Sequence, residues 1–136
     1  MLYRKYIIKP KLKACHGLIQ NMVALLQDYI QDEQSLYDIK LALTEALSNI
    51  VLHAYQGKNK GYIRAKLVLD PHRLMRVVFI DQGKPFLEPE AGFSIAPPPQ
   101  AQSGRGLYLI TNLMDAFYSR HCKQHNILIL EKNLKE

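Results

Sequence analysis

The sequence is poor in the residues that build disulfide frameworks and metal centres. It has two cysteines, Cys15 and Cys122, and their separation matches no metal-ligand spacing. Its five histidines are scattered and form no HExxH motif. The simplest interpretation is a pair of free thiols in a cytosolic protein.

The sequence also lacks a long apolar run. Its beginning, MLYRKYIIKPKLKACHGLI, is interrupted by lysines and a proline, and so lacks the continuous apolar segment of a signal peptide. No segment approaches the roughly 18 apolar residues that a membrane-spanning helix needs. We therefore expect a cytoplasmic protein with no membrane partner.

Acidic residues are outnumbered, with 12 Asp and Glu against 18 Lys and Arg, a net charge of +6 and a pI near 9.3. A basic balance is compatible with nucleic acid, a membrane surface, an anionic ligand or a merely solubilising surface, and charge alone does not choose. No recognised nucleic-acid motif and no basic patch with interleaved aromatics is present. A nucleic-acid function would rest on net charge alone, and we expect no such partner.

The composition that remains is that of an ordinary globular protein, with 48% hydrophobic residues in 136. We expect one domain over residues 1–136. The patterns predict an edge strand closed by Pro10, helices over about 16–30 and from the cap candidates Asp32 or Ser35 to a stop near Gly57, and two strands joined at "DPH". A long loop over 82–104, a further helix and two final strands follow. This order predicts an α+β fold, a two-layer sandwich whose mostly antiparallel sheet is covered on one face by helices.

The second helix, LALTEALSNIVLHAY, carries an unusual line of polar residues. Glu45, Asn49 and His53 follow one another at four-residue steps, and Leu41 and Leu52 lie on the same side. The opposite, core-facing side holds Leu36, Leu43, Leu47, Ile50 and Ala54.

Two interpretations of this line remain open. The polar residues are either the wet side of an amphipathic helix or the lining of a cleft. In a cleft, the Asn49 carbonyl oxygen is a suitable hard ligand for Mg²⁺ and Glu45 is a suitable general base. For His53 we expect only a structural hydrogen bond near the helix end.

Two later motifs are compatible with the same ligand. In VVFIDQG, Asp81 ends a buried strand, where a carboxylate can accept a hydrogen bond from an amine such as that of adenine, and Gly83 permits close approach of a flat ring. In SGRGLYLI, Gly104 and Gly106 open a helix whose N-terminus favours an anion, and Arg105 adds a phosphate-matching side chain. Taken alone, each is better explained by a simple turn or a glycine hinge. There is no P-loop and no GxGxxG motif.

The order and spacing of the three motifs resemble the N box and the two glycine boxes of the GHKL, or Bergerat-fold, ATPases. More narrowly, EALSNIVLHAY, DQGKPF and GRGLYLITNLMD resemble the stand-alone anti-sigma-factor serine/threonine kinases. The resemblance covers nearly the whole chain, and implies the Bergerat ATP-binding fold with ATP and Mg²⁺ as cofactors. Lys84-Pro85 stands where the wider superfamily often has a second glycine, a departure that the narrower family tolerates.

The resemblance also implies a role for each matching residue. Asn49 would ligate Mg²⁺, and Glu45 would activate the attacking hydroxyl. Asp81 would recognise adenine, with Gly83 against the base. A lid over about 88–103, of unusual sequence, would close over the phosphates. The cofactor-binding set is then Asn49, Asp81, Gly83, Gly104, Arg105, Gly106 and Leu107.

The function implied by the resemblance is an ATP-dependent serine/threonine kinase that acts as an anti-sigma factor in a partner-switching system. Its expected substrate is a STAS-type antagonist, its other partner a sigma factor, and its expected state a homodimer, for which the first strand and first helix are candidates. The alternative is a regulatory module that binds ATP, or has lost it, and switches partners without kinase turnover.

Overall fold

The computed structural model describes residues 1–85 and 105–134, in which five strands form one antiparallel sheet with helices on one face. The elements, in chain order, are β1 (Leu2–Ile8), α1 (Leu12–Leu26), α2 (Glu33–Asn49) with a π-helical turn (Ile50–Ala54), β2 (Ile63–Leu69), β3 (Leu74–Asp81), α3 (Arg105–Leu113), β4 (Ala116–Cys122) and β5 (His125–Asn133).

The strand order in the sheet is β1-β2-β3-β5-β4, and every neighbouring pair is antiparallel. β1 is an edge strand, as its sequence predicted, and β2 and β3 form the predicted pair. Side chains alternate between the two faces, so the buried row of β3 ends on Asp81 and that of β5 begins on Asn126. The register places these two residues directly opposite each other.

The core lies between this sheet and the helices. Leucine, isoleucine and methionine side chains of α1, α2 and α3 pack there against the buried rows of β2, β3 and β5. The α+β prediction with helices on one face is therefore confirmed. None of the described helices is long and apolar enough to cross a membrane, and both cysteines are free thiols.

The predicted bounds of α1 were wrong by about four residues at each end, since the helix covers Leu12–Leu26. Residues after Leu26 instead form a turn, in which the Ile30 N–H donates to the Leu26 carbonyl. This turn buries Ile30 in the core and leaves Asp32 free to cap the next helix.

Helix α2, together with the π-helical turn that follows it, begins and ends where its sequence predicted. The Asp32 carboxylate accepts hydrogen bonds from the Gln34 N–H and the Ser35 hydroxyl, the usual N-cap arrangement. At the other end the chain leaves the helix through Gly57, whose φ of 74° suits glycine.

The π-helical turn over Ile50–Ala54 was not predicted; such turns are frequent at functional sites. Of the predicted core residues, Leu36 is partly buried and Leu43, Leu47, Ile50 and Ala54 are fully buried.

Candidate functional site

Glu45 and Asn49 lie one turn apart on α2, and both are half-buried. The Asn49 side-chain amide donates to the backbone carbonyl of Glu45 over 3.0 Å, so that its own oxygen remains available. No hydrogen bond joins the Glu45 carboxylate to another described residue. A half-buried carboxylate and amide oxygen that no described residue engages are available to a ligand.

Helix α3 brings Gly106 directly against this pair. A methyl group built on Gly106 would lie 2.6 Å from the Glu45 Oε2 atom and 3.1 Å from the Asn49 Nδ2 atom. A larger residue at this position would have to displace the flexible end of the Glu45 side chain. We call Glu45, Asn49 and Gly106 the Glu45 face; it unites the first and third sequence motifs.

At the start of α3, a ligand would contact the backbone of Leu107 and not its side chain. The helix begins at Arg105, so the backbone N–H groups of its first turn lack partners within the helix and carry the positive end of its dipole. The Leu107 side chain is buried in the core, so that a ligand would meet its backbone. Gly104 and the predicted lid lie outside the described residues, as does the Arg105 side chain.

Asp81 forms a second group of contacts at the end of β3. It is 1% exposed, and its Oδ1 atom accepts hydrogen bonds of 2.8 Å from the Gly83 N–H and the Asn126 side-chain amide. Its Oδ2 atom is buried and has no hydrogen-bond partner in the described part of the chain. A buried acceptor left in this way suits the amine of a ligand.

Asn126 was missed by the sequence analysis. Besides Asp81, its amide nitrogen lies 3.0 Å from the Gly83 carbonyl oxygen and 3.2 Å from that of Lys84. Its oxygen lies 2.9 Å from the Nδ1 atom of His121. The alternation in HNILILE was the available signal, because it places a polar residue in the same buried row as Leu128 and Leu130.

The close approach that requires glycine at position 83 is to the chain itself. A methyl group built on Gly83 would lie 2.5 Å from the carbonyl carbon and oxygen of Ala54. The next residue, Lys84, donates its N–H to the same carbonyl over 2.7 Å. The turn after β3 is thus held against the end of α2, and we call Asp81, Gly83, Ala54 and Asn126 the Asp81 corner.

Burial dominates the electrostatics of Asp81. It raises the pKa of the carboxyl group, while the hydrogen bonds from Asn126 and Gly83 and the positive fields of His121 and His125 oppose the rise. The corner thus favours a neutral carboxyl by burial and an ionised one by specific contacts.

A cleft of about 510 Å³ opens beside the Asp81 corner. It runs between the end of α2 and the turn after β3, past Tyr55, whose hydroxyl accepts from the Gln82 N–H and donates to the Tyr62 carbonyl. Three lysines line it, Lys58, Lys60 and Lys84. Part of the excess positive charge is therefore concentrated next to the candidate site, although Glu45 and Asn49 do not line this cleft.

The other members of the polar line are not part of either group. His53 is exposed, as is Leu52, and the His53 side chain makes no hydrogen bond to a described residue, in contrast to the structural bond that we expected. Among the described residues no three His, Cys, Asp or Glu side chains lie close enough to form a metal cage. A hard cation at Asn49 would need most of its oxygen ligands from elsewhere, as Mg²⁺ takes them from phosphates and water.

Comparison with known proteins gives consistent results. Residues 8–132 match the model of the histidine kinase-like ATPase domain. The chain is 33% identical over 100 residues to a serine-protein kinase RsbW of Bacillus velezensis, an alignment that spans 68% of this chain and 61% of that protein. It is 29% identical over 124 residues to the RsbW of Bacillus pumilus, covering 85% of this chain and 75% of that one.

Solved structures share the fold. A crystal structure of the RsbU and RsbW domains of a Mycobacterium tuberculosis protein superimposes with a TM-score of 0.73 at 18% identity, over all of this chain and 33% of that one. The histidine kinase domain of a blue-light activated kinase of Erythrobacter litoralis gives a TM-score of 0.56 at 14% identity, over 88% of this chain and 61% of that one. The expected architecture is therefore found in independent structures.

Proposed function

This chain belongs to the histidine kinase-like ATPase family, on the anti-sigma-factor kinase branch that its motifs predicted, and from that premise we propose that it is an ATP-dependent protein serine/threonine kinase. The observation that carries the proposal is the contact of Gly106 with Glu45 and Asn49. Glu45, Asn49 and the first turn of α3 lie side by side there, and under this proposal they supply the base, the hard oxygen ligand and the helix N-terminus that phosphoryl transfer uses.

The residues present fit a magnesium nucleotide. The buried Oδ2 atom of Asp81, which has no partner in the part of the chain that the structure describes, suits the exocyclic amine of adenine. The first turn of α3 suits phosphate oxygens, since it combines unpaired N–H groups with the dipole. Asn49 would supply one oxygen to Mg²⁺, and bound Mg²⁺ would neutralise charge on the transferred phosphoryl group.

Each side chain then has a separate task in the mechanism. Asp81 orients the base, and α3 holds the phosphates against the Glu45 face. Glu45 orients or deprotonates the serine hydroxyl of the protein substrate, because its carboxylate is half-buried and is not engaged by another described residue. The lysines of the neighbouring cleft add a positive field that favours the anionic nucleotide.

We assign the substrate and partners from family membership. The substrate is a STAS-domain antagonist, the second partner is a sigma factor, and the kinase works in the cytoplasm as a single domain over residues 1–136. The alternative, a regulatory module without turnover, has no chemical need for both Glu45 and Asn49.

A homodimer is part of the same proposal. β1 is an edge strand with Tyr3 and Ile7 exposed by 44% and 57%, and an exposed apolar edge is suited to association. Light scattering should give twice the monomer mass for the wild type and the monomer mass for Ile7→Lys. A monomeric wild type would contradict the proposed dimer but would leave the proposal for the candidate site unchanged.

The kinase proposal is tested by Glu45→Ala with radiolabelled ATP and a STAS-domain protein of the same organism. We expect Mg-ATP affinity within about threefold of the wild type and phosphotransfer reduced by about 100-fold or more, the range for loss of a general base. Glu33→Ala, which removes a carboxylate from the first turn of the same helix, should behave as the wild type.

Two outcomes would contradict it. Normal phosphotransfer by Glu45→Ala would show that Glu45 is not the base. A wild type that binds Mg-ATP and co-purifies with the partner, but leaves no phosphoserine in it, would favour the regulatory module.

A further inference from the structure

We propose that Asn126 is a positioning residue for base recognition, which holds Asp81 so that its Oδ2 atom faces the nucleotide as a hydrogen-bond acceptor. It thereby sets a preference for a purine with an exocyclic amine, as in ATP, over one with a carbonyl at that place, as in GTP. The inference rests on the proposed function, because it takes Asp81 to meet the base.

The first step is that the two oxygens of Asp81 differ in their hydrogen bonding. Asn126 lies directly opposite on β5, and its amide and the Gly83 N–H both donate to Oδ1 over 2.8 Å. Two N–H donors on one oxygen hold the plane of the carboxylate and keep the proton off that atom. The other oxygen is buried and has no hydrogen-bond partner among residues 1–85 and 105–134.

The second step is that the amide of Asn126 has only one acceptable orientation. Its nitrogen faces three acceptors, the Asp81 Oδ1 atom and the carbonyl oxygens of Gly83 and Lys84. Turned over, the amide would place its oxygen against all three. On the other side, His121 donates from its Nδ1 atom to the amide oxygen over 2.9 Å, which requires the tautomer with hydrogen on Nδ1.

The third step is the chemistry of the free oxygen. An ionised Asp81 presents Oδ2 as an acceptor, which matches an amine and repels a carbonyl; a protonated one can present a donor, which reverses the preference. Burial favours the protonated form, and the charged or titratable groups around the carboxyl are His121, His125 and Tyr55. The amide of Asn126 is the contact that most opposes protonation.

Merely filling the core would not call for a polar side chain at position 126. Asn126 continues the buried row of Leu128 and Leu130, and an amide in such a row is costly to bury unless it is hydrogen-bonded. Among the described residues, its side chain bonds to the Asp81 carboxylate, to the turn that follows Asp81 and to His121. The polar residue is thus directed to one group, the candidate base reader.

The test is Asn126→Ala, with Kd measured by calorimetry for Mg-ATP and Mg-GTP at several pH values. We expect ATP to bind about tenfold more weakly, the effect of one hydrogen bond to a charged group, with little change for GTP. The GTP-to-ATP ratio of Kd should therefore fall about tenfold, and the pH at which ATP affinity is half-lost should rise. A structural role would weaken both nucleotides equally.

His121→Ala provides a second variant in case Asn126→Ala misfolds, since His121 is exposed and its Nδ1 atom contacts the outer oxygen of Asn126. We expect it to lower the same ratio by about two- to threefold. His125→Ala is the matched control: it also removes a histidine field from Asp81 but no hydrogen bond to Asn126, and should lower the ratio less than His121→Ala does.

The outcomes separate the inference from the function beneath it. A wild type that binds neither nucleotide overturns the proposed function and the inference with it. A wild type that prefers ATP, with unchanged ratios in both the Asn126 and the His121 variants, overturns the inference alone. A ratio that falls further in either variant than in His125→Ala supports it.

Discussion

The two halves of the candidate site are built in opposite ways. In the Asp81 corner the protein satisfies its own polar groups, through Asn126, Gly83 and the carbonyl of Ala54, and leaves one buried oxygen without a partner among the described residues. In the Glu45 face the Asn49 amide bonds to the Glu45 backbone, and Gly106 packs against the Glu45 and Asn49 side chains, whose oxygens have no hydrogen bond to a described residue. Asp81, which would recognise one fixed base, can be held in place by hydrogen bonds before the ligand binds. Glu45 and Asn49, which would contact a phosphate, a cation and a protein hydroxyl, must keep their oxygens accessible.

Asn49→Ala, in the Glu45 face, should have the largest effect on nucleotide binding among the site variants. We expect a loss of Mg-ATP affinity of at least about 100-fold, on the order of 3 kcal/mol, because the variant removes the cation ligand from the open half. Thermal stability should hardly change. Asn112→Ala is a matched control. Like Asn49, Asn112 donates its side-chain amide to the backbone carbonyl four residues earlier over 3.0 Å, but it lies in α3, outside the Glu45 face. Calorimetry that finds equal losses in both variants would remove Asn49 from the site.

Asp81→Asn tests the locked half. The amide keeps an oxygen for the two donors of the corner and places an NH₂ where the free acceptor was. We expect nucleotide affinity to fall by about 30-fold, roughly 2 kcal/mol, without loss of stability, since a neutral amide is cheaper to bury than a carboxylate.

Asp70→Asn is the control for that variant. The Asp70 Oδ1 atom also accepts two backbone N–H groups, from His72 and Leu74, but in the hairpin between β2 and β3. Titrations should give it the wild-type Kd. Wild-type affinity in the Asp81 variant would mean that this carboxylate does not meet the base.

The two glycines extend the comparison to the backbone. In Gly83→Ala the new methyl group would meet the main chain of Ala54 at 2.5 Å, and a main chain held in a helix cannot move easily. We therefore expect the free energy of unfolding to fall by about 2 kcal/mol and the melting temperature to fall by roughly 5 to 10 °C. In Gly106→Ala the new methyl group would meet the flexible end of Glu45. That variant should melt nearly as the wild type and lose phosphotransfer through the displaced carboxylate.

Gly17→Ala provides the reference for both glycine variants. Gly17 lies in α1 with nothing within 4 Å of a new methyl group, and the change should stabilise by about 0.5 to 1 kcal/mol. Thermal unfolding of the three variants side by side would contradict this account if the Gly106 variant were the least stable.

The smallest expected effect is that of pH, through the raised pKa of Asp81. ATP affinity should increase as pH rises through that pKa, because the ionised carboxylate is the acceptor. The free energy of unfolding without ligand should fall over the same window: between the ordinary and the raised pKa the folded protein retains a proton that the unfolded chain has lost. Binding and melting measured from about pH 4 to 8 should show opposite slopes, and Asp81→Asn should flatten both. Parallel slopes would contradict this assignment.

Much of the fold could be predicted because its signals are local. The cap at Asp32, the turn between β2 and β3 and the alternation along the strands each depend on a few neighbouring residues. The end of α1 was misplaced because the turn at Ile30 is favoured by burial, which is a property of the packed core. The π-helical turn after Asn49 carries no local signal of the same kind.

For the site, the sequence by itself determined which chemical groups are present and on which elements: a carboxylate and an amide on one helix face, a carboxylate at a strand end and a glycine at a helix start. Spacing alone can do this because helix and strand periods are fixed by the backbone. Only the tertiary structure decided that Gly106 touches Glu45, that the space beside Gly83 is filled by Ala54, and that Asn126 holds Asp81. These contacts join residues 29 to 61 positions apart, and they depend on sheet register and helix packing, which no local pattern encodes.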